Sequence, residues 1–365
     1  MKIKKKLAVT LTLMMTLSII STNNYALENN TGNETKKEQK EEIVITKDKD
    51  DKKLEDTSDK TKKNLSVTRI SGSDRYDTSV KISEYMKTYM KPYKNIVVAS
   101  GELFPDAISA GILSCHLESP LLLVKRNTIP EVVENNIREI KNLNYTAVVG
   151  GENTITRNVE NNLSKYSKKK IRIAGKDRYI TSQLSESSLD TILNGYPGTA
   201  SDIVGVYNGN NYSDALAATP FMYNNYRKGE DKLALIAIRP NGNTSELIRM
   251  VFGGENSVNK YKEKYRFAGQ DRYKTAVEIA KAYKNLLKMD IDTIVLASGE
   301  DYPDALCAGP LASSKNAAIL LTNSKTLNED TREYIKSNTN IKNIIIVGGE
   351  KSISSSVEDE LKTLR

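Results

Sequence analysis

The sequence predicts an α/β protein of three tandem modules, each a parallel sheet with covering helices, packed head to tail about a common axis. Three observations carry this prediction. A short stretch is written three times, SGSDRYDTSV (71–80), AGKDRYITSQ (175–184) and AGQDRYKTAV (269–278), sharing Asp-Arg-Tyr, one residue, then Thr. Each copy is followed by an aromatic ahead of an Asp-Ala-aliphatic helix start: Phe104 and Asp106, Tyr212 and Asp214, Tyr302 and Asp304. Each ends in a Gly-Gly-Glu after an apolar run, and the first Gly follows the first Asp by 76, 76 and 77 residues (74 to 150, 177 to 253, 271 to 348). Three marks at one spacing make the 365-residue chain a tandem array.

Taken in order, residues 1–26 have the layout of a signal peptide, with Lys2, Lys4, Lys5 and Lys6 before the apolar run Leu7 to Ile20. That run is shorter than the roughly 18 residues a spanning helix needs, so no transmembrane segment is expected in the mature chain. Residues 27–66 hold 10 basic and 11 acidic residues and little apolar surface, which reads as a disordered, charged tether. Its stretch Ile43 to Ile45 is the part able to dock as an edge strand.

The first module, 67–165, opens with a strand at Val67–Ile70, and the Asp-Arg-Tyr stretch then starts a helix. Asn95–Ala99 reads as a buried strand by its length and β-branching. Pro105 suits a helix's first turn, and Asp106 suits its positive end. Leu121–Val124 is a strand, Pro130–Leu143 a helix, and Thr146–Val149 a strand ending at the Gly doublet. Strand and helix alternate without hairpin signals, as in a parallel sheet. The modules at 166–262 and 263–365 repeat this order, with strands expected at Ile203–Tyr207, Leu235–Ile238 and Met250–Phe252, then at Thr293–Ala297, Ala318–Leu321 and Ile344–Val347. The second departs most. It has Asn208 for Ser, Ser213 for Pro and Thr219 where its neighbours have Gly111 and Gly309, and it lacks the length for a closing helix. Modules of this size leave apolar faces uncovered, and three can bury them against one another in a closed ring.

The formal charge of +8 falls to +4 without the four leading lysines and forms no like-charge block, which argues against nucleic acid. Cys115 and Cys307 stand at unequal offsets in their repeats and read as buried free thiols. His116, the only histidine, adjoins Cys115, but adjacent helix positions do not face each other as nucleophile and base. No cluster has metal-ligand spacing, no dinucleotide fingerprint is present, and neither catalysis nor a cofactor is expected. The Gly doublets read either as phosphate-holding strand-to-helix turns or as tight turns alone. Arg75, Arg178 and Arg272 offer a planar fork to phosphate or carboxylate, with Tyr76, Tyr179 and Tyr273 able to lie against a sugar; alternatively they pair inside the unit with Asp106, Asp214 and Asp304.

Asp-Arg-Tyr-x-Thr, then Gly-Glu-Leu-Phe-Pro-Asp-Ala-Ile-Ser-Ala-Gly (101–111), then Val-Gly-Gly-Glu, in three copies over residues 67–365, resembles the type 2 cell wall binding repeat of clostridial surface proteins. The resemblance implies Rossmann-like modules with pseudo-threefold symmetry that bind an anionic cell wall polysaccharide without covalent linkage. It implies a secreted protein in the wall or surface layer, with surface-layer proteins as further partners. Carried over by position, the polymer-binding candidates are Arg75, Tyr76 and Asp106, Arg178, Tyr179 and Asp214, and Arg272, Tyr273 and Asp304. Similar repeats occur in amidases and amidase modifiers, so a wall-active enzyme and an adhesin or structural layer component are the rival readings. The absence of a Cys just after the leading apolar run, and of an apolar C-terminal segment, leads to the same expectation of non-covalent retention.

Overall fold

The first strand does not join the sheet of the repeat it precedes. β1 (Ser66–Ile70) pairs in parallel with β12 (Asn343–Val347), at the far end of the chain. Every sheet in the computed structural model follows the same rule and takes its edge strand from the segment just before a neighbouring Asp-Arg-Tyr stretch. The structure describes residues 65–194, 203–228, 234–242, 244 and 247–365. The signal-peptide layout, nearly all of the tether and its Ile43–Ile45 stretch lie outside these residues.

The first repeat runs α1 (Arg75–Lys87), β2 (Asn95–Ser100), α2 (Phe104–His116), β3 (Leu121–Val124), α3 (Glu131–Glu139), β4 (Leu143–Val149), α4 (Arg157–Leu163) and β5 (Ser167–Ile173). The second runs α5 (Arg178–Asn194), β6 (Ile203–Asn208), α6 (Ser213–Arg227), β7 (Ala234–Ile238), β8 (Leu247–Phe252) and β9 (Tyr265–Phe267). The third runs α7 (Arg272–Asn285), β10 (Thr293–Ser298), a 3-10 turn (Ala305–Cys307) leading into α8 (Ala308–Ser314), β11 (Ala318–Thr322), α9 (Glu329–Ser337), β12 and α10 (Ser355–Lys362). The sheets have one order, β3-β2-β4-β5, β7-β6-β8-β9 and β11-β10-β12-β1, with every pairing parallel. The expected α/β modules are therefore present, and the described residues form one compact unit.

The axis of that unit is built by α2, α6 and α8, each of which touches the other two. Where they meet, Thr219 of α6 lies against Gly111 of α2 and Gly309 of α8. A Cβ at Gly309 would come within 2.8 Å of the Thr219 methyl, and one at Gly111 within 3.8 Å. A Cβ at Gly309 has no room beside Thr219, whereas one at Gly111 would make ordinary contact, so the Thr that breaks the repeat pattern fills the space that its counterpart at Gly309 leaves. At the strand-exit end the same axis is closed by Phe104, Tyr212 and Tyr302. Their ring centroids are 5.4–6.0 Å apart with tilted or edge-to-face planes, the arrangement aromatic quadrupoles favour.

Two sequence expectations need correction. The helix expected at Pro130–Leu143 stops at Glu139. Asn142 takes a left-handed φ of 60°, and Leu143 already opens β4, where it is buried. The second repeat lacks more than its closing helix: among the described residues no helix covers the outer face of β6, β7 and β8. The residues of that face, including Val204, Val206, Ile236 and Val251, form a small apolar cluster of their own, closed by Val258 and Tyr261 from a loop. In the first and third repeats α3 and α9 cover that side, and the core is continuous through the axis.

Candidate functional site

Each member of the repeated Asp-Arg-Tyr-x-Thr stretch has a local task set by its position at a helix start. The Asp caps the helix: Asp74 accepts from the N–H groups of Tyr76 and Asp77, Asp177 from those of Tyr179 and Ile180, and Asp271 from that of Lys274. The Thr hydroxyl accepts from a glycine N–H in the incoming loop, at 3.0 Å for each of the pairs Thr78–Gly72, Thr181–Gly175 and Thr275–Gly269. The Tyr ring covers the glycine that follows the next strand. A Cβ at Gly101 or Gly209 would stand 2.7 Å from the ring of Tyr76 or Tyr179, and Tyr273 lies closer still to Gly299.

The Arg completes the same corner. Arg75 Nη1 donates to the Gly101 carbonyl at 2.6 Å, Arg178 Nη1 to that of Gly209 at 2.9 Å, and Arg272 Nη1 to that of Gly299. None of the three hydrogen-bonds the Asp of its own unit, which corrects the intramodular pairing that the spacing left open. For two of them the charge bears instead on the preceding unit. Arg178 is a positive neighbour of Asp106 and Arg272 of Asp214, and the same two guanidinium groups lie 5.7 Å above the rings of Phe104 and Tyr212. The predicted Arg and Asp residues are thus brought together across the first-to-second and second-to-third seams.

The Asp of the second motif explains the Gly doublet. Gly150, Gly253 and Gly348 have φ of 124°, 124° and 110°, and a Cβ on them would come within 2.7, 3.0 and 2.9 Å of a carboxylate oxygen of Asp106, Asp214 and Asp304. The doublets are therefore tight turns packed on a carboxylate. Thr154 donates to Asp106 at 3.1 Å and Ser352 to Asp304 at 2.6 Å. In the second unit Ser257 accepts from Asn208 Nδ2, and Asp214 keeps only a 3.5 Å contact with Asn211. Burial raises the carboxyl of Asp106 above its ordinary value against the pull of Thr154 and Arg178. Asp214, with only Arg272 opposing, is pushed up to about 6.

At the seam between the second and third modules these groups line a cavity of about 380 Å³, walled by Asp214, Gly254, Glu255, Asp271 and Arg272. The second glycine of each doublet, Gly151, Gly254 and Gly349, faces open space. Each motif Arg uses a single nitrogen on the fold: Nε and Nη2 of Arg75, Arg178 and Arg272 make no hydrogen bond to a described residue. The seams can therefore offer guanidinium donors and carboxylate acceptors to a hydroxyl-rich, charged chain; Tyr179 and Tyr273 are half-buried and keep an edge there, whereas Tyr76 is buried in the core. His116 and Cys115 are placed apart from this chemistry. His116 lies edge-on to Tyr223 and Tyr226, and Cys115 is buried beside Ser313, with burial pushing its thiol up to about 12.

Sequence reasoning passed over a third repeated residue. Arg69, Arg172 and Arg266 each stand five positions before the motif Asp. Each donates Nη1 to the carbonyl of the first doublet glycine, at 2.8, 2.7 and 2.9 Å, and Nε to a glutamate, Glu358, Glu160 or Glu263, at 2.7–2.8 Å. In the first and third units that glutamate comes from α4 and α10. In the second, which has no such helix, Glu263 from the loop replaces it. The fixed offset was the available signal.

A body of three like lobes, each carrying the same motif arginine at its helix start, is a module assembled from repeats. The chain belongs to the family described as Cell wall binding domain 2, which it matches over residues 69–160, 172–263 and 266–358. It is 29% identical over 309 residues to the N-acetylmuramoyl-L-alanine amidase LytC of Bacillus subtilis, covering 81% of this chain and 58% of that protein. It is 28% identical over 317 residues to the amidase enhancer of the same organism, covering 82% of this chain and 40% of the relative. The chain thus spans about half the length of these curated relatives. Cwp6 and Cwp8 from Clostridium difficile share the fold, each with a TM-score of 0.67 over 82% of this chain and 48% and 52% of theirs, at 21% and 22% identity. The family's binding role places the chain at the cell wall or cell surface.

Proposed function

We propose that this chain is secreted and held non-covalently on the bacterial wall by an anionic polysaccharide that lies along the seams between its three modules. Arg75, Arg178 and Arg272 supply charge-assisted hydrogen bonds to phosphate or carboxylate groups. Tyr179 and Tyr273 present an edge to sugar, Tyr76 supports the same corner from the core, and Asp106, Asp214 and Asp304 shape the turn against which the polymer rests. The supporting observation is that each of these arginines spends one nitrogen on its own module and keeps the rest of its fork for a ligand. Surface-layer proteins are the neighbours such a protein meets. The amidase activity in one relative's name belongs to a protein of which this chain covers 58%, and it forms no part of the proposal.

The test is co-sedimentation with isolated walls. Native protein should pellet with them and be released by salt or by prior removal of the anionic polymer. Replacing Arg75, Arg178 and Arg272 by Gln should lower retention stepwise. Equal retention on polymer-stripped walls overturns the proposal.

A further inference from the structure

The opposite end of the molecule, where the strands begin, carries a surface that the repeat does not share. Two cavities of about 660 and 480 Å³ adjoin there, with Lys94, Asn95 and Leu193 lining both, so they form one groove that runs from the base of the first module onto Tyr223 and Arg227 of the second and Asn316 of the third. Its cations are Lys91, Lys94 and Arg227 along the first part and Lys168 and Lys169 along the second. The four lysines are exposed, and none pairs with a described carboxylate. Lys168 contacts the Asn144 side chain at 3.3 Å, and Lys169 lies 5.5 Å above the Tyr145 ring. Arg227 is held by Asn316 at 3.0 Å and lies over Tyr223. Glu118 is the only carboxylate in the described lining, and it accepts from the Tyr223 hydroxyl.

We infer that this groove is a second binding site, specific to the first module, for a polyanionic glycan chain. It rests on the wall-attachment reading and extends it, giving an anionic chain a further cationic surface besides the seam arginines. The charge favours this assignment. The seam cavity between the second and third modules sets three carboxylates against one guanidinium, whereas the basal groove sets five cations against one carboxylate. Cations concentrated in a concave surface raise the local concentration of an anionic chain. Asn95, Asn144 and Asn316 add amide groups for sugar hydroxyls, and Tyr145 and Leu193 add apolar surface for a ring face.

The groove is not a feature of the repeat. Counting seven residues back from Gly101, Gly209 and Gly299 gives Lys94, Asp202 and Asp292, so the sign reverses in the other two units. The positions of Lys168 and Lys169 are taken by Leu65 and Ser66 before the first motif and by Lys262 and Glu263 before the third. One such site per molecule follows.

The experiment measures binding of a short labelled dextran sulfate by fluorescence anisotropy, with neutral dextran of the same length as reference. The variant Lys94→Glu/Lys168→Glu/Lys169→Glu is compared with Lys288→Glu/Lys336→Glu/Lys342→Glu, which changes the net charge equally at exposed positions elsewhere. The groove variant should bind dextran sulfate at least about tenfold more weakly and with a flatter salt dependence, the control staying within about twofold of native protein. Native-like binding by the groove variant, equal weakening by the control, or no preference of native protein for dextran sulfate over dextran each overturns the inference. Retention of native protein on isolated walls is read separately. Its loss counts against wall attachment alone, and its persistence alongside an unaffected groove variant counts against the groove alone.

Discussion

Replacing Arg69 by Ala tests whether the ring is closed through the edge strand that the first segment of the body contributes to the last sheet. Arg69 Nε meets Glu358 at 2.8 Å, and Nη1 donates to the carbonyls of Gly348 and Ile353, both at 2.8 Å. The two charged side chains are only 15% and 20% exposed, so screening by solvent is limited. Truncation leaves two carbonyls short of a donor and Glu358 with Lys362 alone, at 2.9 Å. Unmet buried hydrogen bonds cost about 1–3 kcal/mol and a broken, largely buried ion pair about 3–5 kcal/mol. Retained Lys362 and water entry at this half-open corner bring the expected loss to about 3 kcal/mol. Urea unfolding followed by circular dichroism gives the difference, with Lys342→Ala, an exposed neighbour at the start of β12, expected within about 0.5 kcal/mol of native protein. Because Arg69 lies nearly 290 positions from Glu358, the variant should also make the β1 segment sensitive to protease before the rest unfolds. A loss below about 1 kcal/mol with no change in proteolysis would refute the argument that this Arg clasps the two ends of the body together.

Two further outcomes follow from the seams. Asp214 titrates at about 6 when folded against an ordinary 3.8, so the folded protein holds this proton more tightly than the unfolded chain does. Its contribution is fully present below the unfolded value and lost as pH rises through about 6, an effect of up to about 3 kcal/mol. Asp214→Asn should therefore gain stability relative to native protein between pH 4 and 7, checked by thermal unfolding across that range; parallel pH profiles would contradict the assignment. Gly348→Ala puts a Cβ 2.9 Å from Asp304 at a φ of 110° and should cost about 1–3 kcal/mol, while Gly349→Ala, with nothing within 4 Å, should be nearly silent in the same melts.

Much of the fold was legible because the repeat exposes it. Three copies of each marker located the strands to within a residue or two in most cases, and the short second tail foretold a missing helix. What could not be read was which sheet a strand joins. β1 lies directly before the first motif, yet its hydrogen bonds go to β12, a pairing no local pattern encodes. The candidate residues could be picked out as a set, but their geometry could not be read. Asp, Thr and Tyr of the motif are accounted for by capping, loop closure and cover over a glycine, and the Arg has one nitrogen in the fold and the rest outside it. The arginines at 69, 172 and 266 were missed because their neighbours are not repeated, although their spacing is.

The packing at the centre also bears on why three lobes are carried on one polypeptide. In an assembly of three identical, separate subunits, whatever stands at position 219 would stand there three times. Three threonines would collide and three glycines would leave a void, whereas one threonine between two glycines fits. Fusion into a single chain permits that unequal solution, and it equally permits one lobe to shed helices and another to gather lysines while the common frame stays intact.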